Sequence, residues 1–253
     1  MILLLGGTSD ASPIAASLAR DGYRVLVSKA TDVPLAIALH PNVEVRSGPL
    51  DERSLAELID ARSIRAVVDA THPYATTIRH MADRVAREKA IPYFSFIRPA
   101  AVTSSAPGVE IVPDHGAAAL AAFRYGQTVL LTTGTRNLGP YVEQSRSTGV
   151  RLVARVLDQP DSVDACLRAG ITSDAILACR GPFSVEENRR HIRSFDVGVL
   201  VSKDSGEAGG TPEKLEAARA EGCRVVIVAR PTLDVGGAYS DLDSLLLALS
   251  TRG

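Results

Sequence analysis

The sequence predicts an α/β protein of two Rossmann-like domains, each a mainly parallel sheet with helices on both faces, with a ligand cleft between them. Three observations predict it. Short apolar runs alternate with amphipathic stretches along most of the chain, the rhythm of βαβ units with right-handed crossovers. The first apolar run ends in a glycine pair, Gly6-Gly7. A segment rich in Pro and Gly, Arg98 to Asp114, breaks the rhythm once. The break divides the chain into a first domain, 1–98, a connection, 99–114, and a second domain, 115–253. A chain of 253 residues accommodates two domains of ordinary size.

Each element follows from its local pattern. Ile2 to Leu5 is a continuous apolar run, as for a strand buried on both faces. Ile14, Ala15, Leu18 and Ala19 recur at helical spacing over Ser9 to Arg20, and Asp21-Gly22 closes that helix. Arg24 to Val27, Val43 to Val45, Ala66 to Asp69 and Tyr93 to Ile97 read as strands, with helices at Leu50 to Ala61 and Pro73 to Lys89. Val109 to Val112 is compatible with a short strand inside the connection. Beyond it, strands are predicted at Thr128 to Thr132, Arg151 to Val156, Ala175 to Ala178, Val197 to Val201 and Arg224 to Val228. Helices are predicted at Asn137 to Ser147, Ser162 to Ala169, Ser184 to Ser194, Thr211 to Glu221 and Ser240 to Ser250.

Composition agrees with layers of helix on parallel sheet. Hydrophobic residues make up 45%, aromatic residues only 4%, and there is no Trp, so the core is built of Ala, Val, Leu and Ile. A formal net charge of -1 gives no electrostatic case for nucleic acid or a membrane surface. No stretch reaches the roughly 18 apolar residues of a membrane span. The opening run lacks the basic flank of a signal peptide, so a cytoplasmic protein is expected. Cys166, Cys179 and Cys223 show no metal-binding spacing and are expected to be free, buried thiols, with no metal site. The oligomeric state is left open.

Gly6-Gly7-Thr8-Ser9-Asp10-Ala11 joins the first strand to the first helix. Backbone N–H groups at such a helix start point at bound phosphate, and the helix dipole favours its charge. The dinucleotide fingerprint is G-x-G-x-x-G/A, and here Thr8 replaces its second glycine. The alternative is a tight turn that binds nothing. In NAD-binding folds a carboxylate ends the second strand and holds the ribose 2′-hydroxyl. This chain has Ser28-Lys29 there, which suits a 2′-phosphate and favours NADPH; a solvated surface lysine is the other reading. After the fourth strand, Asp69-Ala70-Thr71-His72-Pro73-Tyr74-Ala75 is expected to face the nicotinamide half of the cofactor, where His72 and Tyr74 position ring or substrate, unless His72 only caps a helix. In the second domain three polar, glycine-bearing loops follow strands: Thr132 to Asn137, Cys179 to Ser184 and Val201 to Thr211. Their Thr, Ser and Gly donors with Arg136, Arg180 and Lys203 make a cradle for carboxylates or phosphates. The third loop reads as a lid or as a long solvated loop.

These segments, with Arg98-Pro99 and Thr133-Gly134, resemble in order and over nearly the whole chain the precorrin-6A reductase family of cobalamin biosynthesis. Thr71-His72-Pro73-Tyr74-Ala75 and Ser202-Lys203-Asp204-Ser205-Gly206 are the most specific parts. The resemblance implies NADPH-dependent reduction of one double bond of the precorrin-6A macrocycle, giving precorrin-6B. A close relative acts on the cobalt-bearing macrocycle. Gly6, Gly7, Thr8, Ser9, Ser28, Lys29, Ala70, Thr71 and His72 are then the expected cofactor contacts. The macrocycle is a polycarboxylate, for which Tyr74, Gly134, Thr135, Arg136, Arg180, Ser205 and Gly206 are the expected contacts. Lys203 and Asp204 are the expected catalytic residues, and His72 and Tyr74 are further proton-donor candidates. Lys203 pairing with a substrate carboxylate is the other role open to it.

Two rivals differ in class. A short-chain-type reductase or epimerase needs Tyr-x-x-x-Lys, but Ile78 stands four residues after Tyr74. A two-lobed small-molecule binding protein would share the architecture and ignore NADPH.

Overall fold

All five residues of the first strand are buried, and they alternate between two apolar layers. Ile2 and Leu4 belong to one core cluster, Leu3 and Leu5 to another. That is the position of a central strand in a sheet covered on both faces. The computed structural model describes residues 1–30, 37, 40–102, 107–206, 209–231 and 238–252.

In chain order the elements are β1 (Ile2–Gly6), α1 (Ala11–Arg20), β2 (Val25–Lys29), β3 (Val43–Ser47), α2 (Glu52–Ala61), β4 (Ala66–Ala70), α3 (Thr76–Glu88) and β5 (Tyr93–Phe96). There follow β6 (Val109–Val112), α4 (His115–Phe123), β7 (Thr128–Leu131), α5 (Gly139–Thr148), β8 (Leu152–Val156), α6 (Pro160–Ala169) and β9 (Ile176–Ala178). The remainder are α7 (Val185–Ser194), β10 (Val197–Lys203), α8 (Thr211–Ala220), β11 (Arg224–Val228), β12 (Ala238–Tyr239) and α9 (Leu242–Arg252). No helix among the described residues is long and apolar enough to cross a membrane.

Two six-stranded sheets form, and every pairing is parallel. The first runs β3-β2-β1-β4-β5-β12 and the second β9-β8-β7-β10-β11-β6. In each, the order reverses beside a central strand, between β1 and β4 and between β7 and β10. Loops that leave the carboxyl ends of those strands frame the crevice where ligands of such sheets bind.

The two packed units are Met1–Pro99 with Pro231–Gly253, and Ala100–Arg230. This corrects the expected boundaries of 1–98, 99–114 and 115–253. The terminal helix, expected in the second domain, packs on the first. Leu245 and Leu249 are fully buried there with Ile2, Leu4, Val68 and Phe94, and β12 pairs with β5. The first sheet otherwise has one apolar face too large for α1 to cover. The expected connection is also more structured than a linker, since its Val109–Val112 forms β6 along β11. Residues 103–106 of it lie outside the described residues. In the second unit α7 and α8 cover one face, against Leu130, Val153, Leu200, Val225 and Ile227. Helix α4 was not predicted. Asp114 caps it by accepting from the Ala117 N–H at 2.8 Å, and Ala118, Ala119, Ala121, Ala122 and Phe123 are buried.

Of the three thiols, Cys166 and Cys223 are buried and free as expected, whereas Cys179 is half-buried, because it follows the short edge strand β9.

Candidate active site

The first unit brings its expected cofactor residues together at the β1–β4 switch. Gly6 ends β1, level with Lys29 of β2 on one side and Ala70 of β4 on the other. The buried Thr8 hydroxyl ties the turn to β4 by donating to the Ala70 carbonyl at 3.1 Å, and it also lies 3.0 Å from Asp10 Oδ2. Gly7 is exposed. A Cβ on it would stand 3.5 Å from Thr71 Cα and 3.6 Å from the His72 nitrogen, ordinary contacts, so nothing in the fold itself demands glycine there. Ser9 is exposed beside it, and Asp10 begins α1 with its carboxylate held by Arg98, whose Nε donates at 2.8 Å.

The Ala70–Tyr74 loop is fixed from beneath. Asp69 and Arg79 are fully buried and paired at 2.8 Å. Asp69 also accepts from the Tyr93 hydroxyl at 2.7 Å and the Thr71 N–H at 2.8 Å, while Arg79 reaches the carbonyls of Pro73 and Thr71. Burial, and then the Asp69 charge, push the Tyr93 pKa up, so it serves as a donor. Because Arg79 grips this loop, α3 starts at Thr76 rather than at the predicted Pro73. His72 and Tyr74 stay half-buried with ring centroids 5.5 Å apart.

Ser28 and Lys29 lie within β2 at its carboxyl end, not after it. Sequence reasoning missed their neighbour. Arg46 stands level with Ser28 on β3 and donates to its hydroxyl at 2.7 Å and to the Gly48 carbonyl at 3.1 Å. Lys29 and Arg46 therefore put two cations at the edge of this turn. The signal was present, an arginine in the last turn-ward positions of a neighbouring strand, but only the strand register reveals it.

The second unit gathers most of its expected residues at the β7–β10 switch. Gly134 (φ 81°), Thr135 and Arg136 follow β7; Lys203 ends β10, and Asp204, Ser205 and Gly206 (φ 75°) follow it. Thr132 joins the two by donating through its hydroxyl to the Val201 carbonyl at 2.9 Å. The Thr133 hydroxyl is buried with no hydrogen-bond partner among the described residues. Burial, and then Arg136, lower the Lys203 pKa. Nearby, His115 Nδ1 and the buried Tyr141 hydroxyl are 2.8 Å apart, and burial followed by the Lys203 charge lowers His115 to about 4. Neither residue was foreseen. Two further expected contacts are placed on other elements of the chain. Arg180 is exposed after the edge strand β9, and Tyr74 belongs to the first unit. Glu207 and Ala208 of the expected lid lie outside the described residues.

Asp204, an expected catalytic residue, is heavily engaged by its own unit. It is 4% exposed, and its carboxylate accepts from the N–H groups of Ala101, Val102 and Gly206 at 2.9–3.3 Å and faces Arg230 at 3.4 Å. Arg230 Nε also donates to its carbonyl at 3.0 Å. A carboxylate so engaged clamps the start of its unit, at Ala101 and Val102, to its end, at Arg230.

Comparison with known proteins bears on what these two switch points serve. The family model described as precorrin-6x reductase CbiJ/CobK matches residues 1–250. A cobalt-precorrin-6A reductase of Priestia megaterium is 33% identical over 98% of this chain and 98% of its own. A precorrin-6A reductase of Mycobacterium tuberculosis is 33% identical over 95% of this chain and 93% of its own. A solved structure described as CobK precorrin-6A reductase superposes with a TM-score of 0.80 at 25% identity, covering 100% of this chain and 96% of that one. With the match running through both sheets and every loop described above, the chain belongs to the precorrin-6x reductase family of cobalamin biosynthesis, and is an oxidoreductase.

Proposed function

We propose that the chain uses NADPH to reduce one double bond of the precorrin-6A macrocycle, giving precorrin-6B. The observation that carries the cofactor assignment is the paired cation site of Lys29 and Arg46 beside an open glycine turn. A 2′-phosphate matches two cations and a serine hydroxyl, and no carboxylate ends β2 to receive a free 2′-hydroxyl. The Gly6–Ser9 turn and the start of α1 would hold the diphosphate, with Asp10 neutralised by Arg98. The bound nicotinamide would supply the hydride. The Ala70–Tyr74 loop, held by Asp69 and Arg79, would orient the ring through His72 and Tyr74. Gly134, Thr135, Arg136, Ser205, Gly206 and the unpartnered Thr133 hydroxyl would receive the polycarboxylate. With Asp204 engaged as a clamp, Lys203 is the residue assigned to deliver the proton, its lowered pKa making the transfer easier.

The cobalt-bearing macrocycle is the second reading, favoured by the name of the Priestia megaterium relative. The test follows NADPH absorbance in the near ultraviolet with precorrin-6A and, separately, with cobalt-precorrin-6A. Oxidation with one or both is expected, slower with NADH. No oxidation with either would overturn the proposal.

A further inference from the structure

Strand β8 carries a cation where a central strand should be apolar. Its neighbours Leu152, Val153, Ala154 and Val156 are buried, and Arg155 itself is only 7% exposed. Its Nη1 donates to Asn188 Oδ1 at 2.8 Å and lies 3.1 Å from His191 Nδ1, both on α7. The guanidinium carbon sits 4.4 Å from the Phe183 ring centroid. All of these partners are neutral side chains or an imidazole whose pKa burial lowers. Among the described residues no carboxylate pairs with Arg155, and its Nε and Nη2 make no hydrogen bond.

A second cation shares the neighbourhood. Lys214, in the first turn of α8, is half-buried and makes no hydrogen bond or ion pair among the described residues. Burial, and then the charge of Arg155, lower it to about 8, while burial brings Arg155 to about 10. The adjacent Glu213 offsets Lys214 by its charge, but less than burial and Arg155 lower it. Its buried Oε2 has no partner and turns back toward Gly210, at the start of its own helix. Burying one uncompensated charge is costly, and burying two of one sign is more so. The arrangement is complete only with an anion.

Its place in the sheet points the same way. The register Leu131↔Ala154 sets Arg155 one step past the end of β7, level with Thr132. In the first unit the residue one step along β2, level with the end of β1, is Lys29. Arg155 therefore stands at the carboxyl edge of the second sheet, one step further along than Lys29 stands in the first.

We infer that Arg155 and Lys214 form a carboxylate-binding site, and that one peripheral carboxylate of the macrocycle occupies it. The identity of the ligand rests on the proposed reaction; the site does not. Arg155→Met and Lys214→Met should each raise KM for the macrocycle about tenfold or more, with kcat changed less than KM and the Kd for NADPH unaltered. Unchanged KM in the folded variants would overturn the inference, and Lys214→Met carries the test should Arg155→Met fold poorly. A separate arm uses citrate as the probe, at constant ionic strength. Citrate should raise the urea midpoint of the full chain and not that of Lys214→Met. An equal rise in both would overturn the site even where turnover is seen. A wild-type chain that responds to citrate but turns over neither macrocycle would overturn the reaction and keep the site.

Discussion

In the first unit the central strand ends in an exposed Gly6-Gly7 turn, and the cations beside it, Lys29 and Arg46, are half-exposed on the sheet edge. In the second unit the same strand order ends in Thr132-Thr133-Gly134, and its cations, Arg155 and Lys214, are drawn inward with no ion pair among the described residues. On the proposed reading, one topology would serve two anions. A diphosphate needs close backbone approach and tolerates solvent, so the first turn is open and short. Scattered carboxylates need strong single contacts, and charge attraction strengthens as water is removed, so the second set is buried.

Each unit also braces its fourth-position strand with an aspartate and an arginine, and this offers the sharpest way to break the comparison. Asp69→Ala leaves Arg79 buried and unpaired and removes the Tyr93 and Thr71 bonds. Urea unfolding should show a loss of about 3–5 kcal/mol. Asp204→Ala should lose less, about 1–3 kcal/mol, since Arg230 is partly exposed and retains its bond to the backbone carbonyl. Equal losses would mean that the two braces are equivalent.

The next effect is on cofactor choice. Lys29→Ala and Arg46→Ala should each reduce the preference for NADPH over NADH about tenfold, about 1.4 kcal/mol, by calorimetry. A variant that keeps its preference would remove that residue from the 2′-phosphate and leave the first unit's cations without the role that distinguishes them.

The smallest expected effect is a pH dependence. His115 is held to about 4 by burial and by Lys203, and in the unfolded chain it titrates near its ordinary 6.5. Between those values the unfolded chain binds more protons. Its stabilising contribution is therefore complete above about 6.5 and is lost as pH falls toward 4. Urea midpoints at pH 7.5 and 5 should fall less in His115→Gln than in the wild type; equal falls would exclude His115.

How much of this was legible in the sequence depended on distance along the chain. The runs Ile2 to Leu5 and Val129 to Leu131 announce central strands because burial on both faces leaves no polar position. Helix α4 hides because its Ala-rich stretch has no periodic contrast to read. Ser28 and Lys29 mark a strand end, but Arg46 joins them across a register that spacing does not encode. Asp204 looks like an acid in a ligand loop until Ala101, more than a hundred residues earlier, donates to it. Arg155 reads as one polar residue in an apolar strand, and only packing shows that no carboxylate among the described residues answers it.

The first unit is built from two stretches of chain separated by the whole of the second. Its core stays open until Leu245 and Leu249 are available. During translation the contiguous unit 100–230 can therefore mature on the ribosome, while the earlier-made segment waits with Ile2, Leu4 and Val68 uncovered. Completion of the dinucleotide-type fold therefore waits until the intervening unit has been synthesised, and the uncovered apolar face is a stretch of the nascent polypeptide that a chaperone would shield.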